Sequence, residues 1–221
     1  YYWNDNGTYL YTDLNGDGYK DLWAYYLKSP WPTNKKGLHL FSEYQLNSNS
    51  YDVQIGLTQV RKVVLSDLDN DNTNEIILFS SGYDSNPFPG DSIGIFDVQS
   101  KTYKYLSNDI GYFHGGAVGD VNNDGFNDIL GYSGGSAVIP VHPAIYLNKG
   151  NGSFELKNDL FIGFSNQENY YTVELFDIND DGKLDLFLGS SNKLHIIEQS
   201  NGVFDFSKKM VLPIPSGDEV M

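Results

Sequence analysis

Four nine-residue segments place oxygen-bearing side chains at alternating positions. They are Asp13-Leu-Asn-Gly-Asp-Gly-Tyr-Lys-Asp21, Asp67-Leu-Asp-Asn-Asp-Asn-Thr-Asn-Glu75, Asp120-Val-Asn-Asn-Asp-Gly-Phe-Asn-Asp128 and Asp177-Ile-Asn-Asp-Asp-Gly-Lys-Leu-Asp185. All share the frame D-x-[DN]-x-D-[GN]-x-x-[DE]. Hard oxygen donors spaced in this way let a curled loop surround one cation, and calcium is the natural occupant because it accepts six to eight oxygens at flexible geometry. Magnesium demands a tighter octahedron and keeps its water.

The expected side-chain ligands are Asp13, Asn15, Asp17 and Asp21, then Asp67, Asp69, Asp71 and Glu75, then Asp120, Asn122, Asp124 and Asp128, and finally Asp177, Asn179, Asp181 and Asp185. The seventh position varies freely as Tyr19, Thr73, Phe126 and Lys183, which suits a backbone carbonyl ligand. The sixth is Gly18, Asn72, Gly125 and Gly182, residue types that tolerate a left-handed turn. The second loop departs most from the frame, at Asn72 and Glu75. An EF-hand is excluded, because its twelfth position would be a glutamate and here it is Ala24, Leu78, Gly131 and Leu188. One isolated Asp/Asn/Gly cluster would read equally well as a solvated turn. Four copies in register favour about four Ca2+ ions, one per loop.

The elements that position these loops also repeat. The first aspartates, Asp13, Asp67, Asp120 and Asp177, are 54, 53 and 57 residues apart, close to the ~50 of a four-stranded propeller blade. Each unit reads as a strand before the loop (Gln59–Ser66, Tyr170–Phe176) and an apolar strand after it (22–26, 76–79, 129–130, 186–188). A third strand follows (38–41, 93–96, 144–147, 194–197), and a fourth lies near Phe154 or Phe204. No sustained helical periodicity is present. The expected fold is all-β, a β-propeller of four-stranded antiparallel blades with approximate repeats 1–56, 57–109, 110–166 and 167–212. Residues 213–221 would then lead into a further blade of a larger ring, although a closed four-bladed ring is also within range.

Composition narrows the function classes. Of 221 residues, 40% are apolar and 19% charged, which suits a folded chain. The 29 acidic and 14 basic residues give a net charge of -15, which repels nucleic acid and anionic membranes. No cysteine is present, so disulfides and thiolate chemistry are excluded. No apolar run approaches the ~18 residues of a membrane span. The opening YYWNDNGTYL is unlike a secretion signal, so any such signal is expected outside this sequence.

Phe113-His-Gly-Gly-Ala-Val-Gly-Asp-Val-Asn-Asn-Asp-Gly-Phe-Asn-Asp-Ile-Leu130 resembles an FG-GAP repeat, and Ala144-Ile-Tyr-Leu-Asn-Lys-Gly-Asn-Gly-Ser-Phe154 resembles the close of the related VCBS repeat. The resemblance implies a calcium-binding propeller, commonly seven-bladed, as in the integrin α-subunit head and many secreted adhesins and lectins. It carries the ligand positions across loop by loop but implies no single activity, since a few members are polysaccharide lyases.

If the aspartate loops occupy one face, the variable loops at 26–37, 80–92, 131–143 and 189–193 occupy the other. Tyr26, Trp31, Tyr83, Phe88, Tyr132 and His142 there suit sugar stacking or protein anchoring. Six residues before each first aspartate stand Gly7, Arg61, His114 and Tyr171, expected near the central channel. For any one of these residues, packing between blades is the simpler reading. The same holds for His39 and His195, which occupy matched strand positions. No nucleophile elbow, phosphate loop or free carboxylate pair is present, so the chain is expected not to be an enzyme. The sole candidate for lyase chemistry is Tyr171 or His114 beside Arg61. The expected role is a binding or adhesion module at a microbial cell surface, with a protein or glycan ligand and other domains or subunits of its assembly as partners. A purely structural spacer is the other alternative.

Overall fold

The computed structural model describes residues 8–25, 37–41, 50–54, 56–57, 59–82, 90–135, 142–165 and 169–214, of which residue 8, 37–41 and 50–54 are described as backbone alone. The candidate ligand residues Tyr26, Trp31, Tyr83 and Phe88 lie outside this set.

Each aspartate loop joins two antiparallel strands, and each unit builds a four-stranded sheet. The first sheet is β1 (Thr8–Thr12), β2 (Asp21–Tyr25), β3 (Gly37–Phe41) and β4 (Ser50–Gln54). The second is β5 (Val60–Ser66), β6 (Glu75–Ser80), β7 (Gly94–Asp97) and β8 (Thr102–Tyr105). The third is β9 (Phe113–Gly119), β10 (Asp128–Ser133), β11 (His142–Asn148) and β12 (Phe154–Lys157). All three run in simple up-and-down order. Among the described residues the only helical element is a 3-10 turn, Phe206–Lys208.

The last unit departs from the expected pattern. Its sheet is β14 (Thr172–Phe176), β15 (Asp185–Gly189), β16 (Lys193–Ile197) and β19 (Met210–Pro213). The strand at Phe204, β18 (Val203–Asp205), instead pairs with β17 (Gln199–Ser200) and, in parallel, with β13 (Phe161–Ile162). Aromatic burial explains the diversion. Phe204 stacks on Phe161 at 5.8 Å, and Phe206 meets Phe164 edge-on at 5.1 Å. Asp205 caps the 3-10 turn that sends the chain back to pair with β16.

Strand periodicity divides each sheet between two neighbours. In the wholly buried β6, Ile76 and Leu78 join a cluster with Leu14, Trp23 and Tyr25 of the first unit, whereas Ile77 and Phe79 join Phe113, Ile129 and Tyr146 of the third. In β10, Ile129 faces back into that second cluster, while Leu130 and Tyr132 face forward onto Val173, Leu186 and Leu188. Each such side chain contributes roughly 1.5–3 kcal/mol by burial. The sheets therefore stack in chain order, with three cores between four sheets.

At the inner edge, β9 packs against both β5 and β14. A Cβ on Gly116 of β9 would lie 2.0 Å from the Phe79 ring, so only glycine lets the second sheet close onto the third here. Lys62 reaches from β5 to the Val173 carbonyl (2.8 Å) and the Glu174 carboxylate (2.5 Å) of β14, tying the inner strands of the second and fourth sheets.

Candidate metal sites

The four loops share one hydrogen-bonded architecture. The first aspartate accepts backbone N–H groups from its own loop: Asp67 Oδ2 from Asn72, Asp120 Oδ2 from Gly125 and Asp177 Oδ2 from Gly182, all at 2.8–2.9 Å. In the first loop Asp13 does the same with Gly16 and Gly18. The fifth-position aspartate accepts the N–H of the seventh residue: Tyr19 to Asp17, Thr73 to Asp71, Phe126 to Asp124 and Lys183 to Asp181, at 2.8–3.0 Å. The amide oxygens of Asn15, Asn122 and Asn179 accept from the fifth residue. These bonds curl each loop on itself and hold its oxygen side chains in place.

The sixth residue has positive φ in every loop: Gly18 at 87°, Asn72 at 70°, Gly125 at 89° and Gly182 at 80°. The fourth residue does too, as Gly16 at 75°, Asn70 at 62°, Asn123 at 58° and Asp180 at 58°. That second left-handed position was legible in principle from its Gly/Asn/Asp composition.

The ninth position behaves differently from the rest. Asp21, Glu75, Asp128 and Asp185 each open the strand after the loop and are buried. Each accepts the N–H of the loop's second residue (Leu14, Leu68, Val121 or Ile178) at 2.7–3.1 Å. Asp128 also accepts from Asn148 and Asp185 from Gln199, both at 2.8 Å. These carboxylates staple the loop to its own sheet.

Buried amides then clamp sheet to sheet, a role that sequence reasoning missed. Asn148 donates to the Leu68 carbonyl (2.6 Å), and Gln199 to the Val121 carbonyl (3.1 Å). Asn127 donates to Ser66 and the Asp67 carbonyl.

Among the described residues, Asp67, Asp69 and Asp71 are a group whose carboxylate oxygens lie within 4.8 Å of one another. The loop that departs most from the shared frame thus gathers the densest negative charge, because Asp69 stands where the others have asparagine. Beside it opens a cleft of about 90 Å³ lined by Asp69, Glu75, Asp97, Lys104 and Phe154. Burial, reinforced by Asp71, Asp67 and Asp97, pushes the Asp69 carboxyl up. Burial pushes Glu75 up to about 7 despite the Leu68 N–H, with Asp69, Asp71 and Asp97 adding to it. Burial likewise raises Asp128 to about 6 against the Asn148 and Val121 N–H groups. In the fourth loop, Lys183 donates to Asp181 (2.9 Å) and holds that carboxyl below its usual range. An ammonium there competes with any cation.

These raised values fix a pH dependence in chelator. Glu75 and Asp128 hold their protons to higher pH in the folded chain than in the unfolded one, whose values stay near 4.5 and 3.8. The folded state therefore binds more protons between these limits, and stability falls as pH rises from about 4 to about 7. The melting temperature in chelator is expected to drop on the order of 5 °C across that window. Saturating calcium should flatten the profile by favouring the ionised carboxylates.

The donor sets are oxygen only, as a hard cation such as calcium requires, and the Asp67, Asp69 and Asp71 cluster gathers three carboxylates that could hold one. Residues 120–188, from the third loop through the strand after the fourth, match the family of FG-GAP-like repeats. The chain carries an FG-GAP-like repeat. No curated protein matches it. The match takes in the loops beginning at Asp120 and Asp177 and strands β10 to β14 between them.

The facing surface is only partly as expected. His114 and Tyr171 come together, with ring centroids 5.9 Å apart, and the Tyr112 ring lies 5.8 Å from His114. Tyr171 is 53% exposed. Arg61 bonds Ser81 and Gln59 on its own sheet. Tyr132 is no surface anchor: it is fully buried against Tyr170 and Phe164 because its strand faces the next sheet. His195 is buried too, 2.6 Å from the Tyr170 hydroxyl through Nδ1, which bears out its structural reading. No helix among the described residues is long and apolar enough to cross a membrane.

Proposed function

We propose that the chain is a calcium-stabilised segment of a β-propeller, exported or displayed at a cell surface, that binds a protein or carbohydrate through the face opposite its aspartate loops. The observation that carries this reading is the same backbone-bonded aspartate loop repeated four times in register on sheets that share their cores. Loops of this kind, without helices to tune affinity, need the abundant calcium found outside cells. Thirteen carboxylates at ligand positions in a chain of net charge -15 favour cation uptake.

A propeller is supported by the chain-order stacking and by β9 packing on both inner neighbours. Apolar side chains left open at the two ends of the stack fit further blades: Tyr9 and Tyr11 on the first sheet, Phe176, Met210 and Leu212 on the last. The exposed Tyr171 ring, backed by His114, offers an aromatic platform for a sugar or an apolar side chain, with Arg61 on the corresponding rung of β5. Binding rather than catalysis is the role proposed.

Two measurements test the reading. Native mass spectrometry in calcium is expected to show about four bound ions, with one fewer in Asp67→Asn/Asp71→Asn; no bound ion at millimolar calcium would overturn the metal assignment. Tyr171→Ala is expected to change stability by less than about 0.5 kcal/mol. On a glycan array and against candidate surface proteins it should lose at least tenfold in any affinity that the parent chain shows. Undiminished binding would move the ligand site elsewhere.

A further inference from the structure

We infer that the second, third and fourth loops bind calcium as a coupled set, linked by Asn70 and Asn123, and that the first loop binds independently. The inference rests on the calcium reading above and adds the regulation of those sites.

Neighbouring loops touch through their fourth and sixth residues. Asn70 Nδ2 donates to the Gly125 carbonyl of the third loop at 3.3 Å, and Asn123 Nδ2 donates to the Gly182 carbonyl of the fourth at 3.3 Å. The two contacts are equivalent by position in the frame and equal in length. Each is made possible by a left-handed backbone at the donor, which turns the amide outward toward the next loop.

The Asn70 contact lies on a continuous chain between carboxylates of adjacent loops. Asp67 Oδ1 accepts the backbone N–H of Asn70 at 2.7 Å. The Asn70 side chain holds the Gly125 carbonyl, and the rigid peptide plane of that carbonyl carries the N–H of Phe126, which donates to Asp124 Oδ1 at 3.0 Å. From the third loop onward, the Gly182 carbonyl shares its peptide plane with the N–H of Lys183, which donates to Asp181 Oδ1 at 3.0 Å. A cation that orders Asp67 thereby orders the peptide that positions Asp124. The reverse holds equally, because coupling between binding sites is reciprocal.

The ends of the set follow from the same position. The first loop has Gly16 there, which carries no amide to reach the second loop. The fourth has Asp180, whose carboxylate accepts hydrogen bonds and cannot donate to a carbonyl when ionised. Asn70 and Asn123 are positioning residues rather than ligands.

Asn70→Gly/Asn123→Gly tests this directly. Gly16 shows that glycine serves at the fourth position at positive φ, so the variant keeps its loop backbone while losing both amides. Calcium titration calorimetry on the whole chain should give the same number of ions for parent and variant. The parent's last ions should bind about threefold to tenfold more tightly than the variant's, scaled to one hydrogen bond per junction. As a second readout, Asp120→Asn/Asp124→Asn should weaken calcium binding at the second and fourth loops in the parent background and not in the glycine background. Equal titrations in parent and variant, with four ions bound by each, would overturn the coupling and leave the calcium reading intact. A parent chain that binds no calcium would overturn both.

Discussion

In saturating calcium the chain is expected to melt at least about 10 °C above its melting temperature in chelator. A ligand that binds only the folded state adds about 2.7 kcal/mol per site at a hundredfold excess over its dissociation constant. For a chain of this size, 1 kcal/mol moves the melting temperature by about 2–4 °C, so two well-filled sites suffice. The physical ground is the charge held in the loops. Asp67, Asp69 and Asp71 keep their carboxylate oxygens within 4.8 Å of one another; burial and the charges of Asp71, Asp67 and Asp97 push Asp69 up, and burial and the charges of Asp69, Asp71 and Asp97 push Glu75 up. Without a cation this charge opposes folding, and with one it becomes an attraction that the unfolded chain lacks. Differential scanning calorimetry in calcium, magnesium and chelator checks the expectation. Magnesium should recover only a small part of the shift, given its stricter geometry. An unchanged midpoint in all three would reduce the loops to hydrogen-bonded turns.

The second large effect is expected from Asp128→Asn, which should cost about 3 kcal/mol already in chelator, and more in calcium, where a ligand position is lost as well. Asp128 is fully buried, and its two oxygens accept from two different backbone groups, Val121 at 2.9 Å and Asn148 at 2.8 Å. An asparagine has one oxygen for these two donors and would turn its NH2 group toward the other, leaving a buried N–H without an acceptor. The damage would spread, because Asn148 also holds the Asn127 carbonyl of its own unit and the Leu68 carbonyl across the junction with the second sheet. Asp124→Asn is the control. Asp124 is exposed and bonds only within its own loop among the described contacts, so its replacement should be nearly neutral in chelator and lower stability only when calcium is present. Chemical denaturation of both variants in the two conditions separates the staple from the cradle. If Asp128→Asn matched Asp124→Asn in chelator, the staple would carry no weight of its own.

The two substitutions divide a motif that reads as uniform in the sequence. Its spacing marks Asp120, Asn122, Asp124 and Asp128 as equivalent oxygen donors, yet the fold exposes the middle ones and buries the last. Burial of the ninth carboxylate follows from its place as the first residue of β10, where the sheet's two neighbours cover it. No local pattern in the loop carries that information.

What the sequence determined by itself was local. The period of the aspartate loops, the alternating apolar strands that flank them and the glycine or asparagine at the sixth position were all legible, because each depends on residues within about a dozen positions of one another. They suffice for an all-β chain of repeated four-stranded sheets and for the resemblance that residues 120–188 bear out. The tertiary structure decided what depends on packing between units. It buried Tyr132 and His195, which a strand pattern leaves ambiguous until the neighbouring sheet is known. It diverted Phe204 into an aromatic cluster with Phe161, some forty residues earlier, and gave the edge of the fourth sheet to Met210–Pro213 instead. It also set Asn70 against Gly125 and Asn123 against Gly182, contacts between residues more than fifty positions apart. Spacing names the groups able to hold a cation, whereas the stacking of one sheet on the next determines which carboxylates are buried and which loops touch.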